Sequence, residues 1–236
     1  MLIVLMSVSA FAVTATEILQ RVDQNAYYTT LYYEAKMIIN DGRRTIEKTF
    51  RAWVKGDDKA YLEFTDPIEL GNKVLKLGEN LWIYTPGLEQ PQIIAGHMRK
   101  SSFADSDFSY EDATENNRLL QLYDAVIEGT EEKQGKTCWK LLLTAKNPSV
   151  LYYQRVQWVD QATYTVMYEE LRARSGRVVK TIEVQGLTQV GNIWFPTIVK
   201  IDDKARVGKY TIIESQNIRI NQPVSDAYFS LSRLSQ

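Results

Sequence analysis

Cysteine and histidine are almost missing from this sequence. Cys138 and His97 are their only representatives among 236 residues. One cysteine cannot close an intramolecular disulfide, and one residue of each kind cannot build a zinc site of the usual His/Cys type. Nucleophilic catalysis lacks its parts too. No G-x-S-x-G occurs, and no motif places a serine for His97 to activate. Cys138 sits within the strand-like TCWKLLL, where a small core residue is expected rather than an activated thiol. P-loop and dinucleotide fingerprints are absent as well. These gaps predict no enzyme, no cofactor and no metal.

An excess of charge is also missing. With 28 basic and 29 acidic residues the net charge is -1. The pairs Arg43-Arg44 and Arg99-Lys100 stand alone and form no phosphate-tracking stripe, so no nucleic-acid partner is expected. Long apolar runs are confined to the start. MLIVLMSVSAFA is too short to span a bilayer and ends in Ala10-Phe11-Ala12, which fits the small-x-small rule for leader cleavage, although no basic residue precedes it. Residues 1–12 are therefore expected to be a signal peptide and residues 13–236 one exported domain. No cysteine follows closely, so the mature chain is not expected to be a lipoprotein. The implied location is periplasmic.

What is abundant is strand texture. Thr14 and Glu17 first suggest a capping box for a helix over residues 15–26, with Ala15, Ile18, Leu19, Val22 and Ala26 on one face. After it, runs such as RTIEKTFRAWVK, KAYLEF, KVLKL, LWIY, CWKLLL, YYQRVQWV, VVKTIEVQGL and KYTIIESQNI alternate with turn residues, Asp41-Gly42 among them. Connections this short favour antiparallel neighbours. Residues 101–125 interrupt the pattern. ATENNRLLQLYDA predicts a short helix there, capped by Asp112 or Thr114.

The same interruption carries SSFADSDFSYED, with Asp105, Asp107, Glu111 and Asp112 inside eight positions. A calcium loop starting at Asp105 needs glycine sixth and glutamate twelfth; Tyr110 and Asn116 stand there. A glycosidase pair needs a set separation across a cleft, which adjacency in sequence does not supply. A turn whose carboxylates accept backbone N–H groups is the simpler reading. What remains is apolar surface. Fourteen tyrosines, five tryptophans and seven phenylalanines offer a curved sheet more wall than a little helix can fill, which suits a hydrophobic ligand.

The central block resembles a known family. Asp66-Pro67, Gly71 before Val74-Leu75, Leu81-Trp82-Ile83-Tyr84 with Pro86, Ser102-Phe103 and the run from Ser106 to Asp112 are similar in order and spacing to outer-membrane lipoprotein-sorting proteins of the LolA-like superfamily. The nearest branch is the one found with RND-type transporters. The resemblance implies an α+β fold, a large curved antiparallel sheet left unclosed as a half-barrel with helices over its concave face. It also implies an apolar cavity for lipid or lipoprotein acyl chains carried between membranes, with an RND-type or ABC inner-membrane transporter as a protein partner. An adaptor or sensor subunit without lipid cargo is the alternative. The expected cavity wall is Leu75, Leu77, Trp82, Tyr84, Phe103, Trp139, Leu141, Val156 and Trp158. In one respect the chain departs from the pattern. Asp105 stands where the family usually has glycine before the Ser-Asp pair.

Overall fold

The computed structural model describes residues 13–114 and 118–235. The leader expected over residues 1–12 lies outside them. Helix α1 spans Ala15–Ala26. Thr14 Oγ1 accepts from the Glu17 N–H at 3.2 Å, and the Glu17 carboxylate accepts from the Thr14 N–H at 2.8 Å. This is the capping box anticipated from Thr14 and Glu17. Ile18, Leu19 and Val22 are buried on one face of the helix.

Thirteen strands follow among the described residues. They are β1 (Thr30–Asn40), β2 (Thr45–Lys55), β3 (Lys59–Phe64), β4 (Lys73–Leu77), β5 (Asn80–Tyr84), β6 (Gln92–Ile94), β7 (Tyr123–Lys133), β8 (Lys136–Ala145), β9 (Gln154–Asp160), β10 (Val166–Arg172), β11 (Val178–Val190), β12 (Ile193–Asp203) and β13 (Tyr210–Ile220). Every neighbouring pair is antiparallel. The order β6-β5-β4-β3-β2-β1-β13-β12-β11-β10-β9-β8-β7 describes two meanders joined where β13 pairs with β1. Strands β6 and β7 are the two edges and do not pair. The result is the curved, unclosed α+β half-barrel.

This order explains the mid-chain interruption. The chain leaves one edge at β6 and must re-enter at the other edge as β7, and the described residues 95–114 and 118–122 lie across a face of the sheet. They do so as two 3-10 turns, Gly96–Lys100 and Phe103–Asp105, then helices α2 (Tyr110–Thr114) and α3 (Leu119–Leu122). The helix expected there is described in two parts, on either side of residues 115–117, which lie outside the described residues. Its cap differs as well: Ser109 Oγ accepts from the Asp112 N–H at 3.1 Å, while Asp112 accepts from the Ser109 N–H at 2.7 Å. Asp112 thus closes the capping box from its third position.

Two apolar clusters lie on the inner face. One holds Phe50, Phe64, Val74, Leu81 and Phe103 beneath the crossing segment, and the other seats α1 on Leu141, Leu143 and Val159. The last strand ends at Ile220. The tail forms a 3-10 turn at Asp226–Tyr228 and helix α4 (Leu231–Leu234) on the outer face. There Phe229 and Leu234 pack on Tyr61 and Leu75, and the Tyr228 ring stacks on Trp53 with centroids 4.4 Å apart. This half of the sheet is apolar on both sides because both sides are covered.

Candidate functional site: a cavity under the curved sheet

Antiparallel register carries one side-chain face across the sheet. Leu31 faces Val54, Tyr33 faces Ala52, Ala52 faces Leu62, and Leu62 faces Val74. Between this face and the crossing segment lies a cavity of about 550 Å³, within the range of ligand sites. Tyr33, Met37, Phe50, Leu62, Val74 and Phe103 form its apolar wall. Burial pushes the Tyr33 phenol up to about 12, so this part of the wall is uncharged.

The wall changes character at β9 and β10. Arg155, Gln157 and Glu169 line the cavity there, and each is less than a tenth exposed. Gln157 Nε2 donates to Glu169 Oε1 at 2.7 Å, and Arg155 Nε lies 3.4 Å from the same oxygen. The Arg155 guanidinium also lies over the rings of Tyr123 and Tyr152. Asp23 of α1 joins the lining and accepts from the N–H groups of Leu119 and Leu120 at 3.1 and 2.9 Å. Burial raises its carboxyl against the pull of those N–H groups and of Arg118 and Arg155.

The acidic corner fastens the cover to the sheet. Asp107, buried, accepts from Thr211 Oγ1 at 2.8 Å, and its other oxygen lies 3.3 Å from Arg206 Nη1. Burial still raises its carboxyl above the ordinary value. Asp112 is ion-paired to Lys180 and accepts from the Tyr152 hydroxyl at 2.6 Å. Burial raises this carboxyl, but Lys180, Tyr152 and Ser109 outweigh it and hold it low. Exposed Asp105 lies 3.5 Å from Lys48 Nζ. Asp105, Asp107 and Asp112 thus each meet a cation. Among the described residues no group of three or more His, Cys, Asp or Glu is placed to hold a metal ion.

The other signature residues are structural too. Asp66 accepts from the N–H groups of Thr49, Ile68 and Glu69, at 3.1, 3.0 and 3.0 Å, shaping the β3–β4 loop. Gly71 (φ +83°) lies so close to Pro86 that a Cβ would stand 2.9 Å from the proline Cγ.

Of the nine expected wall residues, Phe103 lines the cavity. Leu75, Leu77, Trp82 and Tyr84 lie on the outer face under the C-terminal tail. Val156 and Trp158 belong to a separate cluster with Cys138 and Met167. Trp139 and Leu141 are inner residues consumed by packing with α1 and its surroundings. Facing is the reason. A period-two pattern tells which residues share a face but not which face is concave. The polar residues Arg155, Gln157 and Glu169 were missed because polar positions of an alternating strand ordinarily face water. Here the polarity is inverted, and the apolar positions Val156 and Trp158 are the ones turned away from the cavity.

Over residues 56–236 the chain matches a family model described only as an uncharacterized protein. A DUF1329 family protein from Desulfovibrio piger superposes with a TM-score of 0.84 at 28% identity, over 93% of this chain and 97% of its own. A domain from Vibrio parahaemolyticus described as an outer membrane lipoprotein-sorting protein gives 0.82 at 19% identity, over 94% and 98%. The chain belongs to the matched family. A LolA superfamily protein from Nitrosomonas europaea shares the fold, with a TM-score of 0.74 at 20% identity over 93% and 98%. No curated protein matches the sequence significantly. In this fold the Ser106–Asp112 run ties the crossing segment to the sheet through Asp107 and Asp112. The usual glycine position, Asp105, has φ +64°, and Ala104 before it has φ +49°. The left-handed backbone that glycine accommodates is therefore kept without glycine.

Proposed function

We propose that this LolA-like protein is a periplasmic carrier that holds an acyl chain of a lipid or lipoprotein in the cavity and moves it between membranes. The observation that carries this reading is the mostly apolar space of about 550 Å³ between sheet and cover. Each buried CH₂ contributes about 0.8 kcal/mol. Ten such groups give on the order of 8 kcal/mol before the costs of ordering and association. That suffices for useful affinity without a covalent step. Tyr33, Met37, Phe50, Leu62, Val74 and Phe103 are the proposed contacts. Release requires an opening, and the cover is the element suited to move: its described residues meet the sheet through side-chain contacts such as Asp107–Arg206 and Asp112–Lys180, whereas the sheet is a continuous ladder. An inner-membrane transporter of RND or ABC type is the proposed partner for loading.

Native mass spectrometry of the purified protein tests the reading, followed by titration of the delipidated protein with a dansylated fatty acid. The expected result is co-purifying lipid, or saturable binding of about one probe per chain. A protein that yields no lipid and takes up no probe overturns the carrier and leaves the cargo-free adaptor.

A further inference from the structure

The carrier reading leaves the polar stretch of the cavity wall unexplained. An acyl chain alone has no use for Arg155, Gln157 and Glu169, and buried polar groups cost stability unless they are satisfied. The cover's ion pairs through Asp107 and Asp112 are made with Arg206 and Lys180, not with Gln157 or Glu169. Its members are cross-strand or near neighbours on β9 and β10, where Gln157 stands directly opposite Glu169. The inverted polarity of these strands puts all three into the cavity wall.

Gln157 is the informative member. It is 2% exposed, and its Nε2 donates to Glu169. A carboxylate accepts only, so it holds the amide N–H and leaves Oε1 as the free end. That Oε1 is buried and accepts no hydrogen bond from the protein. An orphaned acceptor in a cavity wall calls for a donor from whatever enters. The nearby charges are matched, Arg155 with Glu169 and Lys180 with Asp112. An anionic head placed there finds no surplus cation. Lys59 and Lys76 line the cavity only on the β3–β4 side, beside Asp57.

We propose that Gln157, oriented by Glu169, is a specificity-determining residue that reads a neutral hydrogen-bond donor, a hydroxyl or amide N–H, on the amphiphile in the cavity. The proposal rests on the carrier reading and names its ligand class. A donor-bearing head, met by a small turn of the side chain, satisfies an acceptor that the protein leaves stranded, whereas a head lacking a donor leaves it so.

Paired ligands test this in competition with the dansylated fatty acid. Dodecanol is set against its methyl ether, and dodecanamide against its N,N-dimethyl form. Methylation removes the donor while adding apolar surface, so hydrophobicity alone favours the methylated member. The expected result is the reverse: each donor-bearing ligand binds about tenfold tighter than its methylated partner. Preference in the alcohol pair alone identifies a hydroxyl head, and in the amide pair alone an N–H head. Gln157→Leu is expected to abolish the preference while still binding the ether. If wild-type protein binds both members of each pair equally, or the methylated ones better, the donor-reading role is overturned and the carrier stands. If no ligand displaces the probe and the probe itself does not bind, both fall. The wild-type comparison decides even if the variant does not fold.

Discussion

Lys180 of β11 and Asp112 of the cover form an ion pair whose side chains are 6% and 7% exposed. Burial of both partners sets the consequence of losing one. Lys180→Met leaves a carboxylate buried without its counter-charge, and such losses cost about 3 kcal/mol or more. The double variant Lys180→Met with Asp112→Asn is expected to recover part of that loss. Urea unfolding of the two single variants and the double gives the coupling directly.

The two fastenings respond to pH with opposite sign. Asp112 is held below its ordinary value of 3.8. Its contribution is complete above 3.8 and lost as pH falls through the lower folded value. Asp107 is raised above 3.8, chiefly by burial. Its contribution is complete below 3.8 and lost as pH rises through the folded value. Asp112→Asn is therefore expected to destabilise more at neutral pH than in acid, and Asp107→Asn more in acid than at neutral pH. Denaturation midpoints of both variants against wild type across this range check the crossing.

The corner before Asp107 carries backbone strain that glycine relieves. Ala104 has φ +49°, a left-handed conformation that costs an L-residue about 1–2 kcal/mol. Ala104→Gly is expected to raise stability by about 1 kcal/mol. Asp105→Gly is expected to gain less, because aspartate tolerates this region better and the Lys48 contact at 3.5 Å is lost. Thermal unfolding of the two variants orders them.

Gly71 is constrained twice, by φ +83° and by Pro86. Gly71→Ala is expected to cost about 2 kcal/mol. Adding Pro86→Ala removes the steric part of the penalty and leaves the conformational part. A recovery of half or more in the double variant is the expected readout.

An inner residue of β2 and an outer residue of β4 should separate binding from stability. Ala52→Trp fills the cavity and is expected to weaken binding of the dansylated fatty acid at least tenfold. Leu75→Ala, under the tail and fully buried, is expected to cost about 2–5 kcal/mol while leaving probe affinity within twofold. Equal effects on affinity would contradict the assignment of faces.

Much of this was legible along the chain. The capping box of α1, the hairpin turn at Asp41-Gly42 and the strand runs are local features, set by backbone propensity and side-chain period. The structural role of the acidic corner followed from failed metal and acid/base spacing. Asp105 shows how far such reading extends. The glycine position was recognised, and its left-handed backbone is present, but its strain is visible only in the dihedral.

The sequence by itself determined which residues pair into strands and which share a face, because alternation and turn chemistry act over neighbours. Only the tertiary structure decided which face became the cavity. That choice depends on what covers each side: the crossing segment and α1 within, the tail with Phe229 and Leu234 without. Leu75 and Val74 are equally apolar neighbours, yet one packs under the tail and the other lines the hollow. Curvature and the distant segments that fill it settle this, and neither is written in any local stretch of chain.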